Sequence, residues 1–471
     1  MRTKKYIDIE SFSHSKKLVD KFYNFHASKK LMPSVGVSEA TFPILVGSDT
    51  RVSLDFSDIE DFESVEGLAV FRQYFKTSGR TLYRLLVYCN NEMLYFNQMF
   101  DGSSALFTVY DETFDSPPIA LAFKIGDNDA IILASKDKMM IWETGFTPYT
   151  VTNAPIVTSM CMNEGALFCT LVEPAFKIWY ATDLRAENIG ALNNNSGYIV
   201  LADDLGYARK IVTFNESVYV FRDYGISKIN NVKGEMSVSQ VYLSNTKIFT
   251  NTVAICGNVI LFLTNDGVQS FNGMKVTKID VDLSNILSKV NDGAVASSLG
   301  NNYYIALKLD FDDNKQILCE ANQYTNNALV VLDINSYDYQ IVRGVDVKSL
   351  LPIMAGDFEC MLMTFNSAHK DKVGQIISTP TIFNEAEEKS FLTKELSGNV
   401  TTKLFTSLTV NASAGLTIKL LHDSGVTTFT TYASGKNEFN FKITSSSVKL
   451  EINSSSQNAE IRSARLGYYE Y

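Results

Sequence analysis

The chain has 471 residues with 42 Lys and Arg against 52 Asp and Glu, a formal charge of −10. That balance disfavours a body that grips nucleic acid through clustered basic residues. Apolar residues make up 45% and aromatic residues 12%, which suits a folded chain with much half-buried pleated surface and argues against disorder. No apolar run approaches the roughly 20 residues needed to cross a bilayer as a helix, so no membrane insertion is expected. The basic start MRTKKYIDIESFSHSKK lacks the apolar stretch of a signal peptide.

In chain order, residues 1–48 read as a polar N-terminal arm with scattered aromatics, either a short helix or a segment that docks on a neighbour. From residue 49 to 374 the pattern changes to paired β-rich runs around turns of Asn, Gly, Asp or Glu. Such units begin at Leu85, Ile119, Ile156, Ile211, Val253, Ala294 and Leu351.

The clearest copies are IVTFNESVYVFRDYGISKI, from Ile211, and VAICGNVILFLTNDGVQSF, from Val253. Val212 aligns with Val253, Val218 with Val259, and Gly225-Ile226 with Gly267-Val268 once one residue is inserted. Gly225 is expected to adopt turn angles open only to glycine. Phe221 closes the central apolar run of its copy.

A period of roughly 40–50 residues fits four-stranded propeller blades. One meander cannot bury both faces of its sheet, whereas a closed ring of blades can. The expectation is an all-β chain, a β-propeller of six or seven blades with seven favoured. Residues 375–471 are rich in Thr and Ser, with short alternating strands between the turns ASAG, HDSG and ASGKN. That pattern predicts a C-terminal β-sandwich. Unrelated sandwiches are the structural competitor for the whole chain.

Chemistry is sparse. The four histidines, His14, His26, His369 and His422, form no pair at metal-ligand spacing. No short signature of a serine hydrolase, P-loop or dinucleotide fold is present. No catalytic residue, metal site or cofactor is therefore expected.

Cys89, Cys161, Cys169, Cys256, Cys319 and Cys360 show no C-x-x-C spacing and read as reduced thiols, most of them in or beside apolar runs. A propeller glycosidase would use carboxylates from separate blades. The candidates are Asp127 and Asp129, Asp203 and Asp204, and Asp310, Asp312 and Asp313, all at turns where Asp is also favoured structurally. Trp142 and Trp179 fall at the same place in consecutive units, which suits packing between blades.

The segment FKIWYATDLRAENIGALNNNSGYIVLADDLGYARKIVTFNESVYVFRDYGISKI resembles phage virion propellers of the tail-nozzle and packaged-DNA-stabilisation type. Trp179, Asp203, Gly206, the run Val218 to Phe221 and Gly225-Ile226 carry the likeness, while Ala181-Thr182 stands where that family has serine. The resemblance implies a non-enzymatic virion tail or neck protein, assembled in the host cytoplasm. It would sit with other virion proteins in a homo-oligomeric ring around the DNA exit path, with no specific nucleic-acid binding. A carbohydrate- or receptor-binding adhesin directed at a cell-surface glycan, and a propeller glycoside hydrolase, are the alternatives.

Overall fold

A computed structural model describes the chain except for residues 1–2, 10–18, 24, 28–30, 45–48, 97–105, 109–112, 280–281, 311–323, 387–388, 397–400, 457–458 and 471. Five separate four-stranded antiparallel meanders occupy 67–108, 119–150, 157–200, 208–243 and 248–278. Two more four-stranded units are embedded in larger sheets, one over 295–343 and one in which 347–377 is completed by Gly36–Glu39. These are blades one to seven. The first strand of each blade touches the first strand of the next all the way round, and Val347–Ala355 of blade seven closes on Gly67–Phe75 of blade one.

The closed ring explains the composition of the inner strands. In Arg80–Cys89, the second strand of blade one, Leu85 and Val87 join a cluster with Ile353 and Leu362 of blade seven. Leu86 and Tyr88, on the opposite face, pack with Ile131 and Leu133 of blade two. Every blade interface holds one such cluster among the described residues. A strand buried on both faces has no place for polar alternation, so these segments read as near-continuous apolar runs.

Tight turns set the registers. Asn215 and Glu216, at φ 46° and 59°, form a two-residue hairpin turn whose left-handed backbone matches strand twist.

The sandwich follows the ring. One of its sheets is built on Gly435–Ser445, Lys403–Ala412 and Ile461–Glu470, the other on Lys389–Thr393, Val448–Ser454, Thr417–His422 and Gly425–Thr430. Its core residues Phe405, Leu408, Ile418 and Ile452 are continuous with Leu261 of blade five and Ile305 of blade six.

The N-terminal segment is the main departure from expectation. It is not a separate arm: Lys5–Ile9 pairs with Ile461–Glu470, and Val19–Tyr23 with Lys389–Thr393. Phe25–Ala27 bridges the outer strand of blade six to Leu31–Pro33, which meets the sandwich. Gly36–Glu39 then supplies the outermost strand of blade seven, with Gln375 opposite Ser38. Strand edges left by the end of the chain are thereby paired with its start, removing open edges that would template association. The third strand of blade seven, Gly374–Ile377, also runs past the boundary expected at 374.

Candidate functional site at the channel mouth

Because each blade is a meander, its strand reversals alternate between two faces of the ring. The turns joining first to second strands lie on one face, and first strands begin on the other. On that second face, four first strands break register close to their starts. Thr158 is an extra residue between the pairs Val157/Leu171 and Ser159/Thr170. Arg209 is extra in blade four and Lys348 in blade seven. In blade five, Thr250 to Val253 bulge between the pairs Phe249/Leu263 and Ala254/Leu261. Bulges re-aim side chains and concentrate at rims and sites.

The largest bulge is stitched internally. The Thr252 hydroxyl accepts the Leu263 N–H at 2.8 Å and donates to the Phe249 carbonyl at 2.6 Å, standing in for a missing ladder partner. The Thr252 carbonyl accepts the hydroxyl of Tyr303, from blade six, at 2.7 Å. Burial raises the Tyr303 hydroxyl far above its ordinary value, so it remains a donor.

Three of these bulges open on one cavity of about 300 Å³, lined by Thr158, Arg209, Asp223, Lys247, Thr250, Asn251 and Asp292. It lies where the first strands of blades three to six begin, at the mouth of the central channel. Arg209 Nε donates to Asp223 Oδ1 at 3.3 Å, and Lys247 pairs with Asp292. The Arg209 guanidinium also lies 4.9 Å from the Tyr207 ring centre. The charges are matched one to one and the Thr158 hydroxyl is held by Thr170 and the Arg209 carbonyl, leaving Thr250 and Asn251 to offer neutral donors and acceptors. Such a surface suits a polar ligand of low net charge better than a polyanion.

The signature residues seen in the sequence are architectural. Trp142 packs on Phe71 of blade one at 5.3 Å between ring centres. Trp179 faces the blade-two cluster and donates Nε1–H to the Ile189 carbonyl at 2.9 Å. Val218 packs toward blade three, Phe221 and Ile226 toward blade five, and Val268 toward blade six.

Asp203 and Gly206 hold a partner the sequence reading missed, the fully buried Arg222. Its Nη1 pairs with the Asp203 carboxylate, and its Nε and Nη2 donate to the Gly206 carbonyl at 3.0 and 2.7 Å.

Gly225 corrects an expectation. It does not have a left-handed backbone; a Cβ there would lie 2.6 Å from the Tyr242 carbonyl and 2.9 Å from Leu205. Close approach requires glycine at this position. At the matching Gly267 the reason is conformational, with φ at 108°.

The candidate carboxylates do not converge. Asp127 and the buried Asp129 stand at a first-to-second-strand turn, and Asp129 Oδ2 accepts the Tyr74 N–H of blade one at 2.9 Å. Asp203 and Asp204 are on the opposite face, in the connection leading into blade four, and Asp310 follows the second strand of blade six. Asp312, Asp313, Cys319 and His14 lie outside the described residues, as does the side chain of His26.

His422 bonds Ser424 and Thr427, and His369 stacks on Phe383 at 3.7 Å. Cys89, Cys161, Cys169, Cys256 and Cys360 are free and buried, and desolvation raises all five thiols. Among the described residues, no three His, Cys, Asp or Glu side chains gather as a metal site.

No protein-family model and no curated protein matches the chain. Solved structures similar to it include Hsv2 of Kluyveromyces lactis, at 10% identity and TM-score 0.33, covering 55% of this chain and 93% of that one. Raptor of Chaetomium thermophilum matches at 9% identity and TM-score 0.37, covering 64% of this chain and 27% of that one. Both are β-propeller proteins. At such scores these likenesses carry no argument about what the chain does, and the fold rests on its own sheets. The virion reading is corrected: nothing among the matches points to a phage structural protein.

Proposed function

We propose that this chain is a non-catalytic protein-interaction scaffold whose channel mouth receives a polar segment of a partner polypeptide with little net charge. The observation that carries this reading is the set of bulges that turn Thr158, Arg209 and Thr250-Asn251 toward a single opening. A sheet interrupts its ladder at a cost, and the internal stitching by Thr252 and Tyr303 keeps the blade-five interruption in a fixed shape. Thr and Asn side chains can satisfy both the donors and acceptors of a peptide backbone, while the two ion pairs orient charged side chains beside it.

The test is selection of a randomised peptide library on the immobilised protein, followed by affinity measurement on an Asn251→Trp variant. Asn251 is exposed, so tryptophan obstructs the mouth without entering the core. The expected outcome is enriched peptides that lose at least about tenfold in affinity, or about 1.4 kcal/mol. Enriched peptides that all bind the blocked variant as well as the parent defeat the proposal.

A further inference from the structure

A second surface, sharing no lining residue with the mouth, lies at the outer rim between blades three and four. The outermost strands of the blades differ in how they treat their edges. Those of blades one, two and five are only two or three residues long: Leu106–Thr108, Tyr149–Thr150 and Val276–Lys278. Blades six and seven have theirs followed by further strands, Phe25–Ala27 and Thr381–Ile382. Blades three and four end instead in Ser196–Val200 and Ser237–Leu243, five and seven residues long and last in their sheets. Shortening and covering are the usual protections of a sheet edge. Among the described residues, both are missing on these two neighbouring blades.

The two long edges border one groove of about 620 Å³, whose walls include Tyr198, Val200, Met236 and Val238. The ladder fixes which backbone groups face it. Leu201 N–H bonds the Phe176 carbonyl and Thr182 N–H bonds the Asn195 carbonyl, so by antiparallel alternation Ile199 and Gly197 point inward. The N–H and C=O groups of Tyr198 and Val200 therefore point out of the sheet. The two residues are 42% and 53% exposed.

The charged side chains lining the groove are both acidic: the exposed Glu235, and Asp203, whose carboxylate is partnered by Arg222. An extended occupant is selected by the backbone groups, and a basic side chain within it by Glu235, the lining charge that no ion pair among the described residues matches.

We infer that this groove binds an extended, basic segment of a partner polypeptide, which adds as a further strand to the Ser196–Val200 edge. The main chain would supply affinity, and alternating apolar and basic side chains would supply selectivity.

The experiment selects a randomised peptide library on the Asn251→Trp protein, so that peptides dependent on the channel mouth are absent. Val200→Pro then removes one outward N–H and no ladder bond, as proline is tolerated on an edge. Val200→Thr is the control that keeps the N–H. Enriched peptides are expected to be basic, to weaken about fivefold or more on Val200→Pro and on Glu235→Lys, and to bind Val200→Thr unchanged. Alternate N-methylation of the peptide backbone should abolish binding. Failure to enrich any peptide overturns the inference. So does enrichment of helical or acidic peptides, or of peptides indifferent to Val200→Pro and N-methylation.

Discussion

Arg222 shows how much a single buried side chain can decide. A guanidinium withdrawn from water is tolerable only when its donors are met, and here Asp203 and the Gly206 carbonyl meet them. Replacing it with methionine keeps the volume but leaves that carbonyl and the Asp203 turn without their donor. Arg222→Met is expected to cost about 2–4 kcal/mol in urea unfolding, within the range for breaking a buried pair. A loss below half a kilocalorie would mean that water replaces the guanidinium.

His369 gives the pH response of the same molecule. Burial against Phe383, and the nearby Lys372 charge, hold its pKa below the ordinary 6.5. Above that value both folded and unfolded chains carry a neutral ring. As pH falls through it, the unfolded chain binds a proton that the folded site resists, so stability declines until the lower folded value is passed. His369→Asn, which tolerates the φ of 65° at this position, should flatten the fall in melting temperature between about pH 7.5 and about pH 5.

At the level of the element, the blades were legible and the mouth was not. Hairpins such as Ile211 to Ile229 announce themselves because strands buried on both faces must be apolar and two-residue turns demand Asn, Gly or Glu-type tips. Thr158, Arg209 and Thr250 are ordinary polar residues spread over three blades, and only the ring brings them to one cavity. A polar residue at the second position of VTSM, ARKI and VKSL is the trace they leave, visible once the blades are superposed. The blade-five bulge depends on a hydroxyl, which gives a direct check. Thr252→Val keeps the shape but orphans the Leu263 N–H, with an expected loss of about 1–3 kcal/mol in denaturant melts. Tyr303→Phe should cost less, about 1 kcal/mol, since one acceptor alone loses its donor.

The molecule as a whole is closed by its own N-terminus; that strands from both ends could close the ring is expected of a propeller, but which residues do so was hidden in the sequence. Residues 1–48 are mostly polar, and their pairing partners lie at the other end of the chain, as in Ser38 with Gln375 and Tyr6 with Gly467. Local pattern cannot reveal a pairing whose two halves are separated by nearly the entire length, because the N-terminal half is not apolar enough to announce its strands alone. The same separation makes closure late in folding, since loop entropy is lost before the contacts form. Val37 is fully buried between Ile376 and the core shared by blades six and seven. A chain lacking residues 1–40 would expose the edges of Gly374–Ile377, Ile461–Glu470 and Lys389–Thr393 at once. It is expected to lose its single cooperative melt and to associate through those edges, as read by light scattering. Val37→Asp, which buries a charge at the closure while leaving the sandwich strands intact, should lower stability by about 3 kcal/mol or more without the same association. If the truncated chain instead melts as one cooperative unit and remains dispersed, the ring is closed by its first strands alone and the N-terminal strand is dispensable.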